Sequence, residues 1–222
     1  SFVLDDNGNQ SLAELGFIVI NVASRGSSPL RGHDFYCFGY GNLRDYPLAD
    51  DKYVIEQLAQ KYSYIDLDRV GIYGHSGGAF QTVAAMLTYP DFYKVAIAAS
   101  GNHDNNIYIQ WWGETFHGLN EKVDPKTGKT TFSVKIPTNM ELANNLKGKL
   151  MLITGDVDKN VPPSSTYRLA DALIKANKRF DMFILPGKDH GVMCPYYQNL
   201  IRYYFVENLL YKSHRHVDII NH

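Results

Sequence analysis

Three residues in this sequence have the types and spacing to break an acyl bond. The first, Ser76, sits in Gly74-His75-Ser76-Gly77-Gly78, a G-x-S-x-G turn between the apolar run at 69–73 and a helical pattern at 79–87. Strand, sharp turn and helix in that order lift a serine hydroxyl clear of a sheet. Glycine on either side lets the strand and helix backbones pass closely. The N–H of Gly77 then heads the helix, aimed where an oxyanion would form. Taken by itself, the motif also fits a glycine-rich turn with an incidental serine.

A serine hydroxyl is a poor nucleophile until a positioned base takes its proton, and a third group usually orients that base. In an open α/β sheet such groups come from loops at the carboxyl ends of strands. The run at 150–154 ends in Gly155-Asp156-Val157-Asp158-Lys159-Asn160-Val161-Pro162, which offers two carboxylates. Asp158 is favoured over Asp156, because the Val-Pro-Pro that follows can start a helix that holds it. The run at 180–185 ends in Pro186-Gly187-Lys188-Asp189-His190-Gly191, which offers His190 as base. An aspartate in such a loop is commonly a helix cap, and a lone histidine is commonly packing. Together, in the order Ser, Asp, His at three strand ends, they point to acyl transfer. His33, His103 and His117 lack a comparable setting, and His75 is expected to point into packing.

The elements that must position these residues alternate. A short helix at 9–16 with a glycine stop precedes a β-rich run at 17–23, apolar on both faces like a buried parallel strand. A loop at 24–29 follows, then a helix at 48–62 with Pro47 at its start and Asp50 and Asp51 in its first turn. After the run at 69–73 and the helix at 79–87 come a strand at 94–99 and a loop-rich span at 100–138. Within that span, 130–136 reads as half of a small hairpin. A strand at 150–154, a helix at 163–176, a strand at 180–185 and an amphipathic helix at 196–210 complete the pattern. The tail His214-Arg215-His216 reads as solvated or frayed. Such alternation predicts a mostly parallel sheet with helices on both faces, in one α/β domain covering residues 1–222.

Composition narrows the partners. The chain has 222 residues, 45% hydrophobic and 20% charged, with a formal net charge of -1. That balance gives no electrostatic reason for a nucleic-acid or acidic-membrane partner. No apolar run approaches the ~20 residues of a membrane span. The two cysteines, Cys37 and Cys194, are too few and too distant for a disulfide framework or metal knuckle, and read as two buried thiols. Aromatics reach 13% with 16 tyrosines, enough to line a groove as well as a core.

The segments Asn21-Val22-Ala23-Ser24-Arg25-Gly26-Ser27, Gly74 to Gly78, Gly155 to Val161 and Asp189-His190-Gly191 span most of the chain in order. In these the sequence resembles the catalytic domain of the prolyl oligopeptidase family of serine peptidases, in its dipeptidyl peptidase IV branch. The resemblance implies an α/β-hydrolase fold, with Ser76 as nucleophile, His190 as general base and Asp158 as orienting acid. It implies that Asn160 and Val161 line the substrate site, and that Tyr108 and Trp112 form an aromatic pocket for proline. A ring with apolar faces and no N–H to satisfy suits such walls. It implies a peptide substrate, released as N-terminal dipeptides after Pro or Ala by the full-length protein, and no metal or organic cofactor. An esterase on small acyl esters and a non-catalytic α/β-hydrolase binding module remain open as other uses of the fold.

The resemblance also implies a β-propeller ahead of this domain, allows a homo-oligomer, and suggests a periplasmic or cell-surface bacterial location. It places a further strand, whose loop carries a tyrosine that is the second oxyanion donor, before the first helix of this sequence. That strand would lie between the runs at 17–23 and 69–73. The expectation is therefore that these runs meet directly or that another chain fills the gap, with Ser1-Phe2-Val3-Leu4 as a small substitute. Loss of one oxyanion donor costs about 10²- to 10³-fold in rate.

Overall fold

The runs around 95–99 and 150–154 are apolar at consecutive positions, so both of their faces must be covered. In the computed structural model, which describes residues 8–210, they form the two central strands of a four-stranded sheet. In chain order the helices and strands are α1 (Asn9–Glu14), α2 (His33–Tyr36), α3 (Leu48–Lys61), β1 (Val70–His75), α4 (Gly77–Thr88), β2 (Tyr93–Ala99), α5 (Gln110–Phe116), β3 (Asn120–Val123), β4 (Thr130–Ser133), β5 (Lys149–Gly155), α6 (Ser164–Lys175), β6 (Asp181–Leu185) and α7 (Pro195–Phe205). The sheet order is β1-β2-β5-β6, parallel throughout, while β3 and β4 form a separate antiparallel hairpin.

Alternation of side chains along each strand divides the core in two. Ala96 and Ala98 of β2 and Leu150 and Leu152 of β5 pack with Val83, Met86 and Leu87 of α4 and Leu169 and Leu173 of α6. Their neighbours Val95, Ile97, Ala99, Met151 and Ile153 pack on the other face with Leu12 of α1 and Leu200, Ile201 and Tyr204 of α7. Each fully buried Leu, Ile or Val contributes ~1.5–3 kcal/mol, so these two layers fix the positions of the strand ends. The loop after residue 23 is tied to the start of α3. Arg25 makes a forked ion pair with Asp50 and lies over the Phe38 ring at 3.8 Å, and Asp50 is held below the usual carboxylate range by that guanidinium.

The run at 17–23 does not form the expected strand. Among the described residues it joins no ladder, and β1 is the edge of the sheet. A cavity of about 590 Å³ lies between them, lined by Phe17, Val19 and Asn21 on one side and by Gly71 and Tyr73 on the other. Paired strands lie about 4.7–4.9 Å apart. Here Phe205 packs edge-on against both Phe17 and Tyr73, at 6.1 and 5.9 Å, and bridges the space with a side chain. The two runs therefore do not meet directly as paired strands. Residues 1–4, offered as a substitute, and the tail at 214–216 lie outside the described residues.

The span at 100–138 is more ordered than its sequence suggests. Its expected half-hairpin is β4, closed onto β3 through a turn in which Gly128 N–H donates to the Asp124 carbonyl at 2.8 Å. It also contains α5, a helix that the pattern did not signal. Helix α7 ends earlier than the expected 210 and passes into one π-helical turn, Val206–Leu210. Both cysteines are free thiols and neither is buried as expected: Cys37 is exposed and Cys194 half-buried.

Candidate active site

Ser76 is held by the elbow itself. It adopts φ 57°, ψ -124°, a conformation costing ~1–3 kcal/mol for a residue with a side chain. Its N–H donates to the carbonyl of Ala99 at the end of β2, 2.8 Å away, and its own carbonyl accepts from Ala79 and Phe80 to begin α4. A β-carbon on Gly74 would run into the Gly78 backbone, so glycine is required there by the crossing of strand and helix. Gly77 and Gly78 face open space and are not required for packing. The Gly77 N–H belongs to the first turn of α4, where no intrahelical acceptor exists.

Asp158 follows β5 and is buried, its side chain fully so. Its Oδ1 accepts the N–H groups of Asn160 and Val161, both at 2.9 Å, which fixes the carboxylate plane. The prolines beyond it do start a helix: Pro163 is the N-cap residue of α6, and Ser165 N–H donates to the Pro162 carbonyl. Asp156 serves elsewhere, accepting the N–H of Gly187 at 2.6 Å. That bond, and one from Val157 N–H to the Lys188 carbonyl, lock the loop after β5 against the loop after β6. A β-carbon on Gly155 would collide with the Lys188 carbonyl, so the two loops nest backbone to backbone.

This nesting delivers His190. Its Nδ1 lies 2.9 Å from Asp158 Oδ2 and its Nε2 lies 2.9 Å from Ser76 Oγ. A buried carboxylate can only accept, so Nδ1 carries the proton. Nε2 then presents its lone pair to the serine hydroxyl. The structure thus brings together Ser76, Asp158 and His190 in one line, with the imidazole a fifth exposed. Such a line has the geometry that a nucleophile, a base and an orienting acid require, with each within hydrogen-bond reach of the next.

Two contributors were not expected. His75 does not merely pack: its Nε2 lies 2.6 Å from the His190 carbonyl, to which it donates, and its ring stands 4.7 Å from that of His190. Asp156, passed over as the acid, braces the turn that carries the base. Neither contact has a signature in the sequence, since each joins residues far apart in the chain.

Tyr108 and Trp112 stand edge to face at 5.6 Å, and Phe116 continues the aromatic row behind Trp112. The Tyr108 hydroxyl donates to Asn160 Oδ1 at 2.9 Å, so the aromatic segment and the acid loop share one wall. Burial and the charge of Asp158 push the Tyr108 phenol up. Val161, next in the chain, is buried. His103, fully buried, is held neutral by desolvation, its pKa down to about 3. Among the described residues no group of His, Cys, Asp and Glu is arranged to hold a metal ion, and no helix is long and apolar enough to cross a membrane.

Comparison with known proteins gives a consistent picture. A model of the prolyl oligopeptidase family matches residues 4–213. Dipeptidyl peptidase 8 of Homo sapiens is 29% identical over 204 residues, which are 90% of this chain and 22% of that protein. Dipeptidyl aminopeptidase BIII of Pseudoxanthomonas mexicana is 27% identical over 194 residues, covering 84% of this chain and 28% of the relative. A crystal structure of a Bacteroides ovatus protein described as a dipeptidyl aminopeptidase IV superposes with TM-score 0.73 at 30% identity, over 84% of this chain and 26% of that one. Porphyromonas gingivalis dipeptidyl peptidase 4 gives 0.69 at 25% identity, over 81% and 25%. The chain thus spans about a quarter of the length of the relatives it matches. Its parallel sheet and flanking helices have the α/β-hydrolase fold.

Proposed function

Because the chain belongs to the prolyl oligopeptidase family, we propose that it carries the catalytic centre of a serine peptidase that works through an acyl-enzyme. The observation that carries this reading is the unbroken line from Asp158 through His190 to Ser76, with both contacts at 2.9 Å. Ser76 Oγ attacks the scissile carbonyl while His190 Nε2 takes its proton. The carbonyl oxygen gains the charge, which the Gly77 N–H at the head of α4 stabilises. His190 then protonates the leaving amine, and the C–N bond breaks to leave an ester on Ser76. Water, deprotonated by the same imidazole, attacks that ester and regenerates the serine. Asp158 stays ionised throughout, fixing the Nδ1–H tautomer and stabilising the imidazolium.

The substrate we propose is a peptide with Pro or Ala before the cleaved bond, released as an N-terminal dipeptide by the full-length protein. The edge-to-face pair of Tyr108 and Trp112 supports an apolar wall for a proline ring, beside Asn160 and Val161. The greater length of the relatives agrees with a β-propeller in the full-length protein. The test is turnover by the full-length enzyme of Xaa-Pro and Xaa-Ala anilides against p-nitrophenyl esters. Anilide hydrolysis that stops when the substrate amino terminus is blocked is the expected result. Ester hydrolysis with no anilide hydrolysis would replace this reading with an esterase.

A further inference from the structure

The loop that leaves β2 beside the serine holds polar groups that the peptidase chemistry does not use. Ser100, Asn102 and Asn105 are at most 3% exposed. The Asn102 amide donates to Asn105 Oδ1 at 2.5 Å, which leaves Asn102 Oδ1 and Asn105 Nδ2 buried with no partner. Exchanging oxygen and nitrogen in both amides preserves the mutual bond and again leaves one free donor and one free acceptor. The pair therefore presents a donor and an acceptor side by side in either assignment. Buried amides almost always have partners, and each orphan is costly.

Position ties this pair to the acyl site. Ala99, just before the loop, accepts the Ser76 N–H. A β-carbon on Gly101 would lie 3.0 Å from that of Ala79, in the first turn of α4 next to the Gly77 N–H. At its far end the loop reaches the aromatic wall: the Asn105 carbonyl lies 3.9 Å from where Gly113 would carry a β-carbon, beside Trp112. Tyr108 closes the same corner through its bond to Asn160. Ser100 Oγ and His103 Nε2 of the same loop are also buried without a partner, whereas Asp104 and Asn106 are engaged. Asp104 pairs with Arg168 and accepts from Asn106, whose side chain is further bonded to the backbone of Ile136. Of these groups, the Asn102–Asn105 pair offers a free donor and a free acceptor on two amides already bonded to each other.

We propose that Asn102 and Asn105 form a polar floor to the pocket that receives the residue before the cleaved bond, and that they select side chains carrying a hydroxyl. A hydroxyl is donor and acceptor at once, so one group satisfies both orphans, while the aromatic wall takes the apolar part of the same residue. The inference rests on the peptidase reading of Ser76. A site built to bond a hydroxyl discriminates strongly against the analogue that lacks it, because its own polar groups are then left unpaired.

Matched substrate pairs test this on the full-length enzyme: Xaa-Ser against Xaa-Ala anilides, and Xaa-(4-hydroxyproline) against Xaa-Pro. The hydroxylated member of at least one pair is expected to win in kcat/KM by tenfold or more. The double substitution Asn102→Leu, Asn105→Leu removes both halves of the buried bond at similar volume, and is expected to abolish that advantage. Fluorophosphonate labelling of Ser76 in each protein separates the two levels of the claim: loss of labelling in the wild type sinks the peptidase reading itself. Should the double variant fail to fold, the wild-type ratios alone decide. Equal or lower rates for both hydroxylated substrates, or an ordered water bridging the two amides with no hydroxyl preference, would overturn the polar floor.

Discussion

The Nε2 of His75 donates to the backbone carbonyl of His190, 2.6 Å away, so the residue before Ser76 holds the residue proposed to activate it. The bond fixes the loop after β6 at the point where a small rotation would lift the imidazole off Ser76 Oγ. Misplacement of a catalytic group by about 1 Å can cost ~100-fold. His75→Phe keeps a ring against His190 but removes the bond. It is expected to lower kcat about tenfold with KM within about twofold of wild type, and unchanged kcat would deny His75 a positioning role.

The two carboxylates after β5 should separate cleanly. Asp158→Asn leaves an amide that favours the wrong imidazole tautomer, and a loss of about 10⁴ in kcat is expected with the fold retained. Asp156→Asn touches only the Gly187 N–H bond, so its expected cost is ~1 kcal/mol of stability. Steady-state kinetics and chemical denaturation on both variants check the assignment. An Asp156 variant as inactive as the Asp158 variant would refute it.

Gly74 and Gly77 flank the same serine yet should respond differently to alanine. The Gly74 β-carbon has the Gly78 backbone in its way, whereas that of Gly77 meets nothing within 4 Å. Gly74→Ala is expected to destabilise by roughly 2–4 kcal/mol or to displace the elbow, in the range of strong overpacking. Gly77→Ala should leave the melting temperature within ~2 °C of wild type, a change below ~1 kcal/mol. Paired thermal melts decide it.

Asp51, on the first turn of α3, gives the stability a pH dependence. Burial pushes its carboxyl up to about 6, with Asp50 adding to the shift and a hydrogen bond from Ser24 opposing it. The folded state therefore binds the proton more tightly than the unfolded chain, whose carboxyl titrates near 3.8. Stability attributable to this group falls as pH rises from about 4 to 6, and the ionised side chain remains unfavourable above that window. Discounted for solvent screening, the effect is on the order of 1–2 kcal/mol. Asp51→Asn should thus stabilise at pH 8 and be close to neutral below pH 4, as read by urea unfolding at both values. Equal effects at both pH values would contradict the shift.

The meeting of Ser76, His190 and Asp158 was readable in the sequence because each sits at the end of an apolar strand run, and strand ends are where a parallel sheet gathers its loops. The helices with a start and a stop, such as α1 with Gly16 at φ 97° and α3 behind Pro47, were readable for the same local reason. Residues 17–23 were misread because a strand is defined by its partner, and composition says nothing of whether an edge is paired. Helix α5 was missed because what it packs against lies elsewhere in the chain: Trp112 meets the cluster of Leu43, Phe80 and Ile136, and Gly113 sits against Ile136. His75 and His190 lie 115 residues apart, and the Asn102–Asn105 pair matters only through what it lacks. No local pattern carries either.

The central claim is that Ser76 is a nucleophile activated by His190. Its most direct test is labelling of the full-length protein with a fluorophosphonate, followed by mass spectrometry of the modified peptide. The account predicts a single adduct on Ser76, abolished in Ser76→Ala and slowed by at least about 10³-fold in His190→Ala. Labelling that persists in Ser76→Ala, or that maps to another residue, would contradict it.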